Sequence, residues 1–353
     1  DHENVEETVM KHIPLAFVLA LSCAPAALAQ APGYATPKTT WGAPELSGFW
    51  TNQSYTQMSR PPKATKLTVT AAEEQELLTH NVYEKVAADE AGVSDVSEEG
   101  SKKLLSDANP SRGYNKFWFE VGQQFGRVKG EIRTSWVVDP PNGMVPYKKE
   151  YAAGRNFGND YTSYETRPLA ERCLRGFTNG AGPVLANGLY NNNYQIVQSP
   201  THVMILAEMI HDARVIPIVK SKAEAKHEPN VLEKWSGDSI GWYEGNTLVV
   251  ETVNLNPKQN TYGSSAGKVT ERFTRWDDKQ IFYEFTVDDP TMFTQPWKGE
   301  MSLNANDKPP FEYACHEGNY GLHGILAGAR RFEADGIPQQ IRKPTFGDLE
   351  DEG

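Results

Sequence analysis

Two groups of ionisable residues in the sequence could carry acid–base chemistry. The first group comprises Glu208, His211, Asp212 and Arg214, and the second comprises His316, Glu317, Asn319, Tyr320 and His323. A histidine beside a carboxylate can titrate near neutral pH, which general acid–base catalysis requires. We therefore predict that His316 or His211 moves a proton and that Glu317 or Asp212 orients it. The alternative is that 211–212 is a hairpin turn and 316–317 a solvated strand end.

Two cysteines are expected to bring the second group close to an arginine. Cys173 and Cys315 lie outside the apolar N-terminal segment, and two such cysteines in an oxidising compartment predict one disulfide. The bridge would hold residues 316–317 beside Arg172 and Arg175, and a guanidinium there could bind a carboxylate or stabilise an oxyanion. A metal-binding or nucleophilic cysteine pair is the competing interpretation, which the lack of a CxxC spacing disfavours.

A substrate pocket for this chemistry needs a cation and aromatic walls. Arginine binds carboxylates through paired hydrogen bonds, and aromatic rings supply a large contact area with polar tips. The residues that we predict to bind substrate are Arg214, Arg175, Tyr194, Trp242 and Tyr320. The same aromatic residues are typical of a hydrophobic core, and the arginines could equally form surface ion pairs.

The sequence carries no fingerprint for a common cofactor. His211, Asp212, His316 and Glu317 have side chains suited to zinc or a non-haem metal, so a divalent metal there is a secondary hypothesis. Neither HExxH nor HxH spacing occurs, and the serine-hydrolase GxSxG, Rossmann and P-loop motifs are absent. These observations favour a reaction that needs no cofactor.

The first 29 residues have the pattern of a secretory leader. A short basic segment at 10–12 precedes an apolar run at 13–28, and Ala27-Leu28-Ala29 fits the small-x-small rule for signal peptidase. We expect a periplasmic or secreted protein with cleavage near Ala29. Removing these residues takes one lysine and four acidic residues from a chain of net charge −11, which leaves 34 basic against 42 acidic residues.

This acidic balance bears on the partners of the mature chain. The sequence contains no basic stripe, which argues against nucleic acid and anionic lipid as partners. No later apolar run has the length of a membrane helix, so we expect no membrane insertion. A small molecule is the expected ligand, and a homo-oligomer is compatible with the composition.

Most of the remaining pattern is typical of β-strands. Alternation of large apolar and polar residues is clearest at 281–287, where Ile281, Tyr283, Phe285 and Val287 would share one face. Further strands are predicted at 46–51, 133–138, 194–198, 203–208, 213–218, 247–255, 269–276 and 297–303. A helix is expected from 67 to 78, with Thr70 as its N-cap and a continuation to about 87.

Short turns between successive strands predict a mostly β fold. We expect an antiparallel meander that forms a barrel or sandwich, of which a lipocalin-like barrel is one form, with a helical N-terminal segment. The predicted divisions are 1–29 for an upstream extension and signal peptide, 30–112 for a lead-in, first strand, helix and acidic loop, 113–335 for the main β domain and 336–353 for a C-terminal tail.

Four strings carry a resemblance to a known group of proteins. They are RTSWVVDPPNG at 133–143, YQIVQ at 194–198, GWYEGNTLVVET at 241–252 and EYACHEGN at 312–319. The chain resembles a group of exported bacterial proteins over most of residues 45–330, and this resemblance implies export but no reaction. The third string is also similar to strands of lipocalin-like barrels, which bears on the fold alone.

These observations lead to two competing functions. The first is a periplasmic, cofactor-independent enzyme that uses general acid–base catalysis on a small aromatic or carboxylated molecule, as a lyase, hydratase or isomerase before a hydrolase. The alternative is a non-catalytic β-barrel that binds an apolar or aromatic ligand. An enzyme requires the two histidine groups to converge on one cavity, whereas a carrier requires only an apolar cavity.

Overall fold

The computed structural model describes residues 30–79, 120, 122–153, 163–176, 180–228, 234–256 and 262–337. Its strands are β1 Gly48–Thr51, β2 Thr68–Val69, β3 Arg127–Val128, β4 Glu131–Arg133, β5 Val137–Asp139, β6 Asn193–Gln198, β7 His202–Ala207, β8 Ala213–Pro217, β9 Asp238–Glu244, β10 Thr247–Val253, β11 Lys268–Arg275, β12 Gln280–Asp288 and β13 Trp297–Ala305. Its α-helices are α1 Ala71–Leu78, α2 Lys149–Ala153 and α3 Tyr320–Ala334.

Nine of the strands form a barrel-like antiparallel sheet in the order β8-β7-β6-β1-β13-β12-β11-β10-β9. The two ends of this order approach each other, because Ile218 and Gly241 form a parallel bridge and Val219 N–H donates to the Gly241 carbonyl at 2.9 Å. A Cβ at Gly241 would lie 2.8 Å from Ile218 Cδ1, so a glycine is needed where the ends meet. The predicted mostly β, barrel-like fold is confirmed.

The first strand is an integral part of this barrel. β1 pairs with β6 on one side and with the end of β13 on the other. β5 pairs with the beginning of β13 and continues the same edge. The segment 30–112 therefore contributes a strand to the main sheet, and a boundary at 112 does not divide the barrel.

The inner face of the barrel is a continuous hydrophobic core. Ile281, Tyr283, Phe285 and Val287 of β12 are all buried, as the alternation predicted. The segment 181–186 runs into the same core, and its apolar side chains are buried against residues from every part of the barrel. These buried side chains belong to one hydrophobic cluster, which occupies the interior of the described barrel.

Helix α1 begins at the predicted cap. The Thr70 side chain accepts from the Glu73 N–H, and Glu73 reaches back to the Thr70 N–H, which satisfies two backbone donors at the helix start. Glu74 is buried and ties the helix to the barrel, since it accepts from the Phe125 N–H and forms an ion pair with Arg127 at 2.8 Å. The predicted continuation to 87 and the acidic loop to 112 lie outside the described residues.

Helix α3 was not predicted from the sequence. Leu322, Ile325, Leu326 and Ala329 are its more buried positions, and they follow the spacing of one helical face. The glycines at 321, 324 and 328 interrupt the pattern of strong helix formers, which hides the helix from propensity arguments. Within the described residues, no helix has the length and apolarity to cross a membrane.

Candidate functional site

The predicted disulfide is present. Cys173 and Cys315 are bonded, with their Cα atoms 5.8 Å apart. Ala170, Met209 and Ile210 pack with Cys173 in a small apolar cluster separate from the main core. The bridge therefore fastens the segment around residue 315 to the turn between β7 and β8.

That turn carries His211 in an unusual backbone conformation. Ile210 and His211 have φ angles of 59° and 43°, in the left-handed region that a β-branched residue rarely adopts. Burial of Ile210 against the disulfide offsets the cost of this conformation. His211 Nδ1 lies 3.0 Å from the Tyr313 carbonyl oxygen, so the turn directly contacts the segment that leads to His316.

The carboxylates of this region do not face the histidines. Asp212 Oδ2 accepts from the Ala181 N–H at 3.0 Å and lies 3.6 Å from Arg175, on the inner side of the turn, while His211 is exposed. His316 and Glu317 are both exposed. In the described part of the chain, no hydrogen bond joins either histidine to a carboxylate, so Asp212 does not orient His211 as we predicted. The catalytic role of His316 and Glu317 stays a prediction.

Glu208 has a structural role at the same turn. Its buried carboxylate accepts from the Asn191 and Asn193 side-chain amides at 2.7 and 3.0 Å, and from the Phe311 N–H at 3.0 Å. Asn193 also donates to Glu120 at 3.0 Å. Burial raises the pKa of Glu120, and the charge of Glu208 adds to the effect, although the Asn193 hydrogen bond opposes it.

Arg214 lies inside the barrel and is not available to a substrate there. Its Nη1 and Nη2 atoms donate to the two oxygens of Glu271 at 2.6 and 3.0 Å. Tyr283 Oη donates to Glu271 Oε1 at 2.7 Å and accepts from the Leu185 N–H at 3.1 Å. This network links β8 to β11 across the lumen. It also fastens the segment 181–186, which we call the inserted segment, to β12. The prediction that Arg214 holds a substrate anion is therefore wrong.

Arg175 serves the same interior. It is buried, and it donates to the Ser236 hydroxyl at 2.9 Å and to the Gly182 carbonyl at 3.1 Å. Burial lowers its pKa, and the neighbouring Asp212 opposes this effect. These contacts hold the inserted segment in place, which accounts for Arg175 without a substrate.

The predicted aromatic residues do not share a pocket. Tyr194 is fully buried in the lumen, where burial raises its pKa, and its hydroxyl lies 3.3 Å from the Ala186 carbonyl. Trp242 is buried on the opposite side of the sheet and donates to Glu244 at 2.9 Å. Tyr320, at the start of α3, is 82% exposed. Tyr194 and Trp242 are core residues, and the three cannot form one binding surface.

A pocket lies instead on the outer face of the barrel, and we call it the strand-face pocket. It has a volume of about 170 Å³ and is lined by Val138, Thr270, Arg272, Glu284, Phe285, Thr286, Lys298, Gly299 and Glu300. These residues come from β5, β11, β12 and β13. A Cβ at Gly299 would lie 2.1 Å from Phe285 Cζ, so this glycine allows the Phe285 ring to pack directly beneath the pocket.

Two carboxylates face each other in the strand-face pocket. Glu284 of β12 is directly paired with Glu300 of β13 on one side and with Arg272 of β11 on the other. Directly opposed residues in antiparallel strands have Cβ atoms about 4.5–5.5 Å apart. In the row beside them, Thr286 is paired with Thr270 and with Lys298. The register thus places two carboxylates, two hydroxyls and two cations around one pocket.

The two carboxylates have different surroundings. Burial raises the pKa of Glu284, the charge of Glu300 raises it further, and Lys129, Arg272 and Lys298 act in the opposite direction. Among the described contacts, no hydrogen bond reaches the Glu284 carboxylate. Glu300, in contrast, forms an ion pair with Arg133 at 2.9 Å. The surroundings of Glu284 therefore shift its pKa upward, whereas the carboxylate of Glu300 has a cationic partner.

The sequence placed Glu284 on the outer face of its strand but did not pair it with Glu300. The signal was present, because both glutamates occupy outward positions of predicted strands. The register between those strands was not deducible, since the connection at 289–296 is longer than a two-residue hairpin turn and does not fix which residues pair. Among the described residues, no group of three or more His, Cys, Asp or Glu side chains is arranged to hold a metal ion.

Comparison with known proteins gives no relative. No protein-family model, curated protein or solved structure matches the chain.

Proposed function

We propose that this protein is an exported enzyme that uses general acid–base catalysis at the strand-face pocket. The observation that carries this proposal is the direct pairing of Glu284 and Glu300 in one pocket, and we assign Glu284, whose pKa burial raises, as the proton donor and the ion-paired Glu300 as the acceptor. A carboxyl group whose pKa is raised beside a second, ion-paired carboxylate is a recurring basis of acid–base catalysis. Two such groups in one pocket meet the geometric requirement for it.

The pair supports elimination or addition of water, or proton transfer within a substrate. In an elimination, Glu300 takes a proton from a carbon next to an electron-withdrawing group. The carbon–oxygen bond then breaks, and Glu284 gives its proton to the departing hydroxyl, which leaves as water. A carbon–carbon double bond forms, and proton exchange returns the two carboxyl groups to their starting forms. The lyase and hydratase classes follow from this sequence, and an isomerase would use the same two groups.

Arg272 and Lys298 favour an anionic substrate. Arg272 pairs with Glu244 at 2.9 Å, which directs it partly away from Glu284, whereas Lys298 has no carboxylate within 4.0 Å among the described ion pairs. When Glu284 carries the proton that the proposed reaction needs, the three remaining charged groups of the pocket, Arg272, Lys298 and Glu300, sum to one positive charge. A small carboxylate fits the volume and the charge, so we favour the carboxylated substrate over the aromatic one.

Two observations support export. Residues 10–29 have the leader pattern, and a disulfide joins Cys173 to Cys315, as is usual in an oxidising compartment. The resemblance to exported bacterial proteins points in the same direction. The periplasm is the location that we propose.

The alternative function, a barrel that carries an apolar ligand, has less support. A carrier of this kind needs an apolar cavity inside the barrel. The described lumen is instead occupied by the 181–186 segment and by aromatic side chains such as Tyr283 and Trp297. The strand-face pocket is lined largely by charged and hydroxyl side chains, which do not suit an apolar ligand.

Hydrogen–deuterium exchange at carbon tests the proposal across a whole class of substrates at once. The protein is incubated in D₂O with a panel of small hydroxy, oxo and unsaturated carboxylates, and deuterium incorporation is followed by NMR. We expect exchange with at least one member of the panel, and a decrease of at least about 100-fold in Glu300→Gln and Glu284→Gln. Glu312→Gln, at an exposed position outside the pocket, is the matched control and should exchange like the wild type.

Two results would refute the assignment. One is equal exchange by the wild type and both pocket variants, and the other is no exchange with any member of the panel. Circular dichroism and urea unfolding of each variant establish that it is folded before its exchange rate is compared.

A further inference from the structure

A lysine beside the strand-face pocket sits in a strained turn. Lys129 and Gly130 connect β3 to β4 and have φ angles of 53° and 84°. A two-residue hairpin turn with positive φ at both positions normally takes Asn, Asp or Gly at the first of them. Lys129 therefore occupies a backbone position that its own residue type disfavours. Its N–H donates to Gln280 Oε1 at 3.1 Å, which fastens the turn to β12.

The amine of Lys129 rests on aromatic rings. Nζ lies 3.5 Å from the centre of the Phe282 ring and 5.6 Å from that of Trp276. Among the described ion pairs, none includes this amine. The rings attract the ammonium form, whereas burial lowers the pKa of Lys129, and the charges of Glu300 and Glu284 oppose that lowering. The side chain is only half-buried, so a small molecule can reach it.

The position of the rings relates this amine to the carboxylate pair. Phe282 and Glu284 are two residues apart on the same outer face of β12, a separation of about 7 Å along a strand. Phe282 is paired with Ser302, and Glu284 with Glu300, so the Phe282 ring lies in the row next to the carboxylates. A lysine whose amine is desolvated against aromatic rings has surroundings in which amines act as nucleophiles toward carbonyl groups, and the adjacent carboxyl group of Glu284 can supply the proton that such a reaction needs.

We propose that Lys129 is a nucleophile that forms an imine with a carbonyl substrate bound in the strand-face pocket. This inference rests on the proposed function, because it assigns Glu284 as the acid of the step. The neutral amine adds to the carbonyl carbon and gives a carbinolamine. Glu284 then protonates the hydroxyl, the carbon–oxygen bond breaks, water leaves, and the nitrogen lone pair forms the carbon–nitrogen double bond. The product is a protonated imine, which draws electrons from the adjacent carbon.

This step narrows the substrate class. A protonated imine acidifies the neighbouring C–H bond, so Glu300 could remove that proton without a metal or an organic cofactor. Lys298 would bind a carboxylate on the same molecule. The substrates of the pocket are therefore small aldehydes or ketones that carry a carboxylate, such as 2-oxo acids.

Reductive trapping tests the proposal directly. The full chain is incubated with pyruvate or glyoxylate and sodium cyanoborohydride, which reduces an imine to a stable amine, and the modified lysines are located by peptide mass spectrometry. We expect Lys129 to be labelled at least about five times faster than Lys279, an exposed lysine in the β11–β12 turn. Equal labelling of the two lysines overturns the proposal.

Variants make the outcome specific. Lys129→Arg keeps a cation over the rings and removes the nucleophile, so it should abolish the fast labelling, and Lys279→Arg is the matched control that should retain it. Persistence of the fast phase in Lys129→Arg overturns the proposal. In Glu284→Gln, slower labelling supports the assigned acid. An unchanged rate of labelling at Lys129 supports the nucleophile and contradicts the catalytic role of Glu284, so the two proposals can fail separately.

Discussion

Removal of Glu271 is expected to be among the most destabilising single changes in the barrel. Its carboxylate is fully buried, and it is the acceptor for both terminal nitrogens of Arg214 and for the Tyr283 hydroxyl. In Glu271→Leu the guanidinium would lose both acceptors, and its Nε already has no hydrogen-bond partner in the described structure. Breaking a buried ion pair from one side costs about 3–5 kcal/mol, because it leaves a charge without compensation.

The double variant separates the cost of the lone charge from the value of the pair. Arg214→Met combined with Glu271→Leu replaces both charges by apolar groups of similar volume, which is often close to neutral. We therefore expect the double variant to recover most of the stability that Glu271→Leu loses. Urea unfolding of the wild type, of Arg214→Met, of Glu271→Leu and of the double variant, followed by tryptophan fluorescence, gives the coupling energy between the two residues.

An exposed pair of the same length is the control. Arg331 Nε and Asp335 Oδ2 are 2.6 Å apart, as close as Arg214 and Glu271, but the Arg331 side chain is 76% exposed. Substituting Asp335 by Asn should cost no more than about 1 kcal/mol. A loss below about 1 kcal/mol for Glu271→Leu would refute the reasoning, since it would mean that water reaches Arg214 inside the barrel.

Three further predictions concern stability. Burial raises the pKa of Glu284, so the stability that this group contributes is present below its unfolded pKa and is lost as the pH rises through its folded pKa. Glu284→Gln should therefore resist urea better than the wild type at neutral pH, and this advantage should vanish near pH 4. An advantage that grows on acidification would contradict this expectation. Gly241→Ala should lower the free energy of unfolding by about 1–3 kcal/mol, because the added Cβ would overlap Ile218. Gly324→Ala should instead stabilise helix α3 by up to about 1 kcal/mol, because the space at that position is open. Equal effects of the two variants in urea unfolding would be inconsistent with these contacts. Reduction of the Cys173–Cys315 bond, which spans 142 residues, should lower stability by about 4–5 kcal/mol on the chain-entropy estimate, and an unchanged melting curve in reductant would refute it.

The sequence predicted those strands and helix ends whose signal lies within a few neighbouring residues. The alternation at 281–287 identified a half-buried strand, and the Thr70 cap identified the start of α1, since both signals lie within a few neighbouring residues. The Cys173–Cys315 bond followed from the two cysteines that lie outside the N-terminal apolar segment and from the expectation of an oxidising compartment. Helix α3 escaped because its glycines lower helix propensity, although its apolar spacing was visible.

The contacts that define the barrel interior and the strand-face pocket depend on the register between strands and on closure of the barrel. Arg214 and Glu271 are 57 residues apart, and they meet only because β8 and β11 face each other across a nearly closed barrel. Glu284 opposes Glu300 only in one register of β12 and β13. A shift by one residue would place Glu300 on the other face, so no count of residue types could reveal the pair.

The same distinction explains why sequence reasoning chose the wrong arginines. Arg214 and Arg175 were selected for their chemistry, but a cation inside a barrel must be paired, and both are held by buried carboxylates or carbonyl groups. These polar groups in the lumen therefore already have hydrogen-bond or ion-pair partners within the protein. Glu284 is different, because it is partly desolvated and yet has no hydrogen bond among the described contacts. A carboxyl group that the fold leaves in this condition is better suited to donate a proton to a ligand than one whose bonds are already made, which is why we assign Glu284 as the proton donor on the outer face.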